Sequence, residues 1–361
     1  MKNPNGLAEL KVDIERLGSV VDQLRASQCA VNHPSASSQC AVTAQCGACP
    51  VRSPFVPDYS IPLLAPGGGN CNPEILAKLG PLAGLIGTWV SPRFNGYNVM
   101  PIPQATAPDG FILKNFFYYE VITFSAIQGK VANRGGTDEQ DSYTLFYEQR
   151  VFFADGPQAN TLVHAENGAW LHLITGPQGQ GPLDIPPNIP SPPAPDPIPP
   201  QDPAREIVKQ VSVPHGNSIL AMGGVATIYD APAIPDVSAL PVGAPASYSA
   251  PYGNDVPGNP NINPNIVLQE ALLALHRQGG KVVRTQVINV DSANAGSVTN
   301  TPFIQSHTNV TQYANTLWLE ELSSGYLMLQ YSQNISLKFP QANGGSYLFP
   351  HITANTLLKV G

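Results

Sequence analysis

The chain has 361 residues, 42% of them hydrophobic and only 12% charged, and 18 Lys/Arg against 25 Asp/Glu leave a net charge of −7. That apolar content can fill a sizeable core, whereas a mildly acidic chain without a Lys/Arg cluster lacks the surface that displaces counterions from nucleic acid. No run of 18 apolar residues exists for a membrane-spanning helix, and Met1-Lys2-Asn3-Pro4 lacks the apolar stretch of a secretory signal, so a cytoplasmic protein without membrane partners is expected.

Residues 1–28 read as an amphipathic, coiled-coil helix. Leu7, Leu10, Ile14, Leu17, Val21 and Leu24 fall at alternating spacings of three and four, with β-branched Ile14 and Val21 at a and Leu at d. That pattern favours a parallel dimer, so a homo-oligomer held through residues 7–24 is expected. Residues 29–71 form a linker that contains every cysteine of the chain: Cys29, Cys40, Cys46, Cys49 and Cys71. Cys46-Gly47-Ala48-Cys49 is not followed by His, which excludes c-type haem attachment. Disulfides, a zinc site that includes His33, and plain thiols all suit the set.

From residue 72 to 361 the pattern is that of one all-β domain. Asn72 caps a short helix with Pro73 at its first position, and Gly87-Thr88-Trp89 opens the first strand. Nine runs rich in β-branched and aromatic residues follow: 116–124, 142–153, 161–174, 205–213, 218–229, 281–290, 316–322, 325–339 and 348–360. Several alternate with period two. About nine to ten such strands predict an antiparallel up-and-down β-barrel. One helix interrupts them, with Asn263 as its cap and Pro264 at its first position, running through Gln269–His276 to Gly279-Gly280. Two Pro-rich insertions, 177–203 and 231–264, read as loops, and the first carries 12 prolines in 27 residues, a polyproline composition.

The order of these motifs resembles the nitrobindin family of haem-binding barrels, which share a calycin-like, fatty-acid-binding-like architecture. The resemblance is carried by Leu79–Trp89, Tyr119–Phe124, Tyr147–Arg150, Leu162–Gly168, Gly325–Tyr331 and Pro350–Val360. It implies that His351, on the last strand, is the proximal ligand of a haem b iron, since a neutral imidazole in a dry pocket is a suitable axial donor. The glycine-rich stretch expected after the first Trp is replaced by Val90–Tyr97. The chain is also about twice the length of a minimal member.

His164 and Glu166 are two apart on one strand and so share a face, which makes them a candidate acid–base pair beside a ligand. Trp170 and His172 share that parity. Glu148 and Arg150 suit a structural ion pair, His276 suits a helix C-terminus, and His215 and His307 sit in turn-like surroundings. The resulting expectation is a haem-binding barrel acting on peroxide or a reactive nitrogen species. Its alternatives are a non-catalytic barrel for an apolar ligand and a structural or assembly protein.

Overall fold

The computed structural model describes residues 72–133, 139–176, 203–340 and 345–360. The Leu7–Leu24 seam, the five cysteines and 177–202 of the first Pro-rich insertion lie outside the described residues. Among the described residues no helix is long and apolar enough to cross a membrane.

The chain opens with α1 (Pro73–Leu79) and a 3-10 turn, Gly80–Leu85. As expected, the Asn72 side chain caps α1, accepting the Glu74 N–H at 2.9 Å. The strands are β1 (Gly87–Val90), β2 (Gly96–Val99), β3 (Pro101–Pro103), β4 (Phe111–Leu113), β5 (Phe116–Ala126), β6 (Val131–Ala132) and β7 (Glu139–Phe153). After these come β8 (Leu162–Gly176), β9 (Ile207–Val213), β10 (Asn217–Ile228) and β11 (Val282–Asn300). The last three are β12 (Asn309–Leu322), β13 (Leu327–Pro340) and β14 (Ser346–Lys359). Two further helices are α2 (Ile266–Arg277) and α3 (Pro302–His307).

Strands β7 through β14 pair antiparallel in chain order. β1 and β2 together form one stave, each joined to β5 on one side and β14 on the other, and β5 pairs β7. The result is a closed ten-stave, up-and-down barrel, so no main-chain edge of the ring is left unpaired.

Alternation decides which residues line the inside. On β5 the inward set is Tyr118, Glu120, Ile122, Phe124 and Ala126, while their neighbours stay half-buried. One end of the barrel is filled by hydrocarbon: Leu79, Leu82 and Leu85 from α1 and the 3-10 turn pack on Trp89, Phe124, Leu145, Trp170 and Leu329. The plug is pinned by polar contacts, with Trp89 Nε1–H donating to the Leu85 carbonyl at 2.7 Å and His172 Nδ1 bonded to the Lys78 carbonyl at 2.6 Å. Gly80 makes that approach possible. Its φ is +54°, and a Cβ there would meet the His172 ring at 2.9 Å.

The second Pro-rich insertion is a loop, but it is not a free arm. Ile234, Ala239 and Tyr252 are buried, Ile234 with Leu268 of α2 against Trp318 and Ala354, and Ala239 and Tyr252 in a cluster with Phe111, Leu337, Phe339 and Phe349. Two local expectations need correction. The cap position of α2 is Asn265, not Asn263, because the Asn263 side chain is engaged with Val237 N–H and Asp236. His307 belongs to α3, a second interrupting helix between β11 and β12, and not to a turn.

Beneath α2, Glu320 is fully buried on the outward face of β12, between Trp318 and Leu322, and neither carboxyl oxygen has a hydrogen-bond partner. Burial pushes its pKa up to about 9, so it is held as the neutral acid at pH 7. Its unfolded counterpart ionises near the ordinary value of 4.5. From there up to about pH 9 the unfolded state binds fewer protons, and stability falls as pH rises, by at most about 1.4 kcal/mol per pH unit. Glu320→Gln should therefore raise the melting temperature at neutral and alkaline pH, with a gain that shrinks toward pH 4.5. A gain independent of pH in calorimetric scans would show that Glu320 does not carry this penalty.

Candidate functional site

Above the hydrocarbon layer the interior turns polar. His164 and Glu166 do face inward from β8 and do meet: His164 Nε2 lies 3.4 Å from Glu166 Oε2. The other carboxyl oxygen, Oε1, accepts the Tyr147 O–H at 2.9 Å and lies 3.5 Å from Lys209 Nζ on β9. Glu166 and Lys209 are 3% and 4% exposed, so this is a pair of charges inside the barrel. Burial alone would raise the Glu166 pKa, but the Lys209 charge and the contacts with His164 and Tyr147 outweigh it and hold the carboxyl at about 2. Burial lowers the Lys209 pKa, and the Glu166 carboxylate works against that shift.

Lys209 is further enclosed by the rings of Tyr147, Trp170 and Tyr313, whose centroids lie 5.1–5.2 Å from Nζ, within cation–π range. Nζ donates to the Tyr313 hydroxyl, which in turn donates to Gln333 Oε1 at 2.6 Å. A second buried carboxyl, Glu120, accepts from Gln149 Nε2 and from Asn355 Nδ2, and burial raises its pKa to about 7 against those hydrogen bonds. Tyr118 and Tyr331 complete this group, hydroxyl to hydroxyl at 2.8 Å.

Between the polar layer and the hydrocarbon plug lies a small cavity, with about 20 Å³ open to the centre of a water molecule. That volume holds about one water. Lys209, Gln149, Asn315 and Gln333 contribute polar atoms to its wall, while Trp170 and Leu317 contribute apolar surface. The Asn315 Oδ1 atom is buried without a protein partner.

His351 lies at the opposite, mouth end of the interior. It shares the parity of Asn355 and Leu357 on β14, is half-buried, and has Nε2 2.9 Å from Asn98 Oδ1. Burial, then the nearby His164 and His215, push its pKa down to about 4, so the imidazole is neutral. His215 is exposed on the β9–β10 turn, in the turn-like surroundings expected, and its Nε2 lies 3.2 Å from His164 Nδ1. Three histidines therefore share the mouth. Of the other candidates, Trp170 belongs to the core and Glu148 and Arg150 form an exposed ion pair. His276 is exposed at the C-terminal turn of α2.

Sequence reasoning missed Lys209, Glu120, Tyr313 and Asn315. A signal existed for the two charged residues: Lys209 lies at the parity of Ile207 and Val211, and Glu120 at that of Ile122 and Phe124, all buried apolar positions. A charge on an otherwise apolar parity marks a polar residue that the barrel encloses.

The residues fit a haem only in part. His351 is neutral and faces inward, as an axial donor must be, but it does not line the cavity beside Lys209, which is water-sized and too small for a porphyrin. No protein-family model matches the chain, and no curated protein is similar to it. The fold and the side chains thus define a closed barrel with an ionic interior and a histidine-rich mouth.

Removing one member of the Glu166–Lys209 pair leaves the other charge buried and alone, which costs about 3–5 kcal/mol. Lys209→Met and Glu166→Gln should each destabilise by that order in urea titrations. The double variant should cost much less than the sum, and strict additivity would show that the two charges do not compensate each other.

Proposed function

We propose that the barrel binds a small polar molecule at the mouth histidines, with only its terminal polar group entering the water-sized cavity beside Lys209. The supporting observation is the buried Glu166–Lys209 pair beside a water-sized cavity that Asn315, whose Oδ1 has no protein partner, helps to line. A barrel serving only as scaffold gains nothing from such an interior, because buried ion pairs are commonly no more stabilising than hydrocarbon of the same volume. An apolar guest is poorly served, since it would leave the Asn315 Oδ1 acceptor without compensation. The ligand this wall complements has a donor for Asn315 and an acceptor for Lys209. Ionised Glu166, hydrogen-bonded to Tyr147 and facing His164, is arranged to orient such a molecule or exchange a proton with it.

A second reading places haem b at the mouth, and the neutral, inward-facing His351 is what favours it. When bound, haem would supply an iron centre for redox chemistry, with His351 as its protein ligand and Asn98 orienting the ring. The two readings separate experimentally. Denaturing extraction of freshly purified protein, followed by mass spectrometry, should release a small polar compound in near-stoichiometric amount. Asn315→Leu should lower that amount at least tenfold. A Soret band that disappears in His351→Ala would establish the haem reading instead. Extracts that are equally empty for the parent and Asn315→Leu, with no Soret band, would argue against both and favour a structural barrel.

A further inference from the structure

We propose that His164 and His215 form a binding site for one divalent transition-metal ion at the mouth of the barrel. The site follows from strand register. β8 and β9 pair antiparallel with Asn167 opposite Ser212, and the same register continued three residues further sets His164 opposite His215. Their side chains meet there, with Nδ1 of one and Nε2 of the other 3.2 Å apart and ring centres 5.2 Å apart. Two nitrogens bound to one tetrahedral zinc ion at 2.0–2.1 Å lie about 3.3–3.4 Å from each other. The pair already stands close to that separation.

The second shell is also in place. Glu166 Oε2 faces His164 Nε2, so the proton of His164 belongs on Nε2 and its Nδ1 carries the lone pair. A carboxylate behind a histidine is the common arrangement for orienting a metal ligand and raising its basicity. Glu166 is fixed by Tyr147 and Lys209, so it can hold the His164 ring in position. In the metal-free state, His215 Nε2–H donates to His164 Nδ1. Binding replaces that hydrogen bond with two nitrogen–metal bonds, and the His215 proton moves to Nδ1 of the same ring.

Among the described residues no group of three or more His, Cys, Asp or Glu side chains converges to hold a metal. The ion therefore takes two protein nitrogens, one protein ligand fewer than a catalytic zinc site, and fills its remaining positions with water or an incoming donor. Imidazole donors suit Zn²⁺, Cu²⁺ and Ni²⁺ over Ca²⁺ or Mg²⁺. The metal site uses neither the interior cavity nor His351, and it shares His164 and Glu166 with the ligand reading, which the Asn315→Leu extraction tests separately.

The test uses the full chain with its five cysteines alkylated, so that thiolates cannot compete, and Co²⁺ as the probe. One equivalent of Co²⁺ should bind with the visible absorption of a four-coordinate ion carrying nitrogen and oxygen ligands. His164→Gln and His215→Gln, which keep side-chain size but lose the imidazole, should each weaken binding at least tenfold. His276→Gln, at an exposed site elsewhere, should leave it unchanged. His215 is exposed on a turn, so its variant is expected to melt with the parent protein and isolates the loss of the ligand from loss of fold. Failure of the alkylated parent to bind Co²⁺ would overturn the proposal, as would binding of unchanged strength in both the His164 and His215 variants.

Discussion

The interior depends on one compensated pair of charges. Placing an ammonium or a carboxylate alone inside a barrel costs several kcal/mol, and the cost is offset only when each finds the other and the remaining hydrogen-bonding positions are filled. Glu166 and Lys209 meet that condition through specific neighbours. Tyr147 and His164 supply donors to the carboxyl, while Tyr313 accepts from the amine and three aromatic faces surround it. Because Tyr313 passes its own proton to Gln333, the pair's influence reaches from β8 and β9 across the barrel to β12 and β13. The positions of at least four staves are thereby tied to one electrostatic contact.

That contact divides the barrel into two unlike halves. Below it, α1 and the 3-10 turn seal one end with leucines, and Lys359 adds a lid contact by reaching the Gly84 carbonyl and lying over the Trp89 ring. Above it, the lining changes to Asn98, His164, His351 and the exposed His215. The missing side chain at Gly96 belongs to the same design, because the Tyr118 ring occupies the space that a Cβ would take, at 2.7 Å. Tyr118 can then reach Tyr331 across the interior, which closes the Glu120 side of the polar layer.

Much of the architecture was legible because strands with a buried face alternate, and the alternation in Phe116–Ala126 and Leu162–Gly176 is plain. The shared face of His164 and Glu166 followed from the same rule. The first half of β12 was not legible: Asn309-Val310-Thr311-Gln312-Tyr313-Ala314-Asn315 is too polar to read as a strand, since Tyr313 and Asn315 point into a polar interior. The second Pro-rich insertion, 231–264, was read as a surface loop from its Pro/Gly/Asn-rich composition. Yet Tyr252 and Ala239 are buried with Phe111, Leu337 and Phe349, and Val242 makes an antiparallel bridge to Leu348 of β14. The meeting of His164 with His215 depends on the pairing of β8 with β9 over a chain separation of 51 residues, which period-two patterns within one strand do not contain.

The two halves also set the direction in which a molecule can reach the interior. At the plugged end, Leu79, Leu82, Leu85 and Trp89 have no exposed surface, and entry there would require α1 to leave the barrel. At the mouth, the His164 side chain keeps 26% of its surface exposed while the Glu166 side chain two residues further in keeps only 1%. Solvent contact is therefore lost within a single step along β8, and it is lost at a hydrogen-bonded His–Glu pair. Any polar species moving inward exchanges water for His164 first, then for the carboxylate, and then for Lys209. A proton can follow the same route without the carrier, because Tyr147, Glu166 and His164 form a continuous hydrogen-bonded chain from the cavity wall to the surface. The buried charges that bind the staves together are also the groups that connect the cavity to solvent.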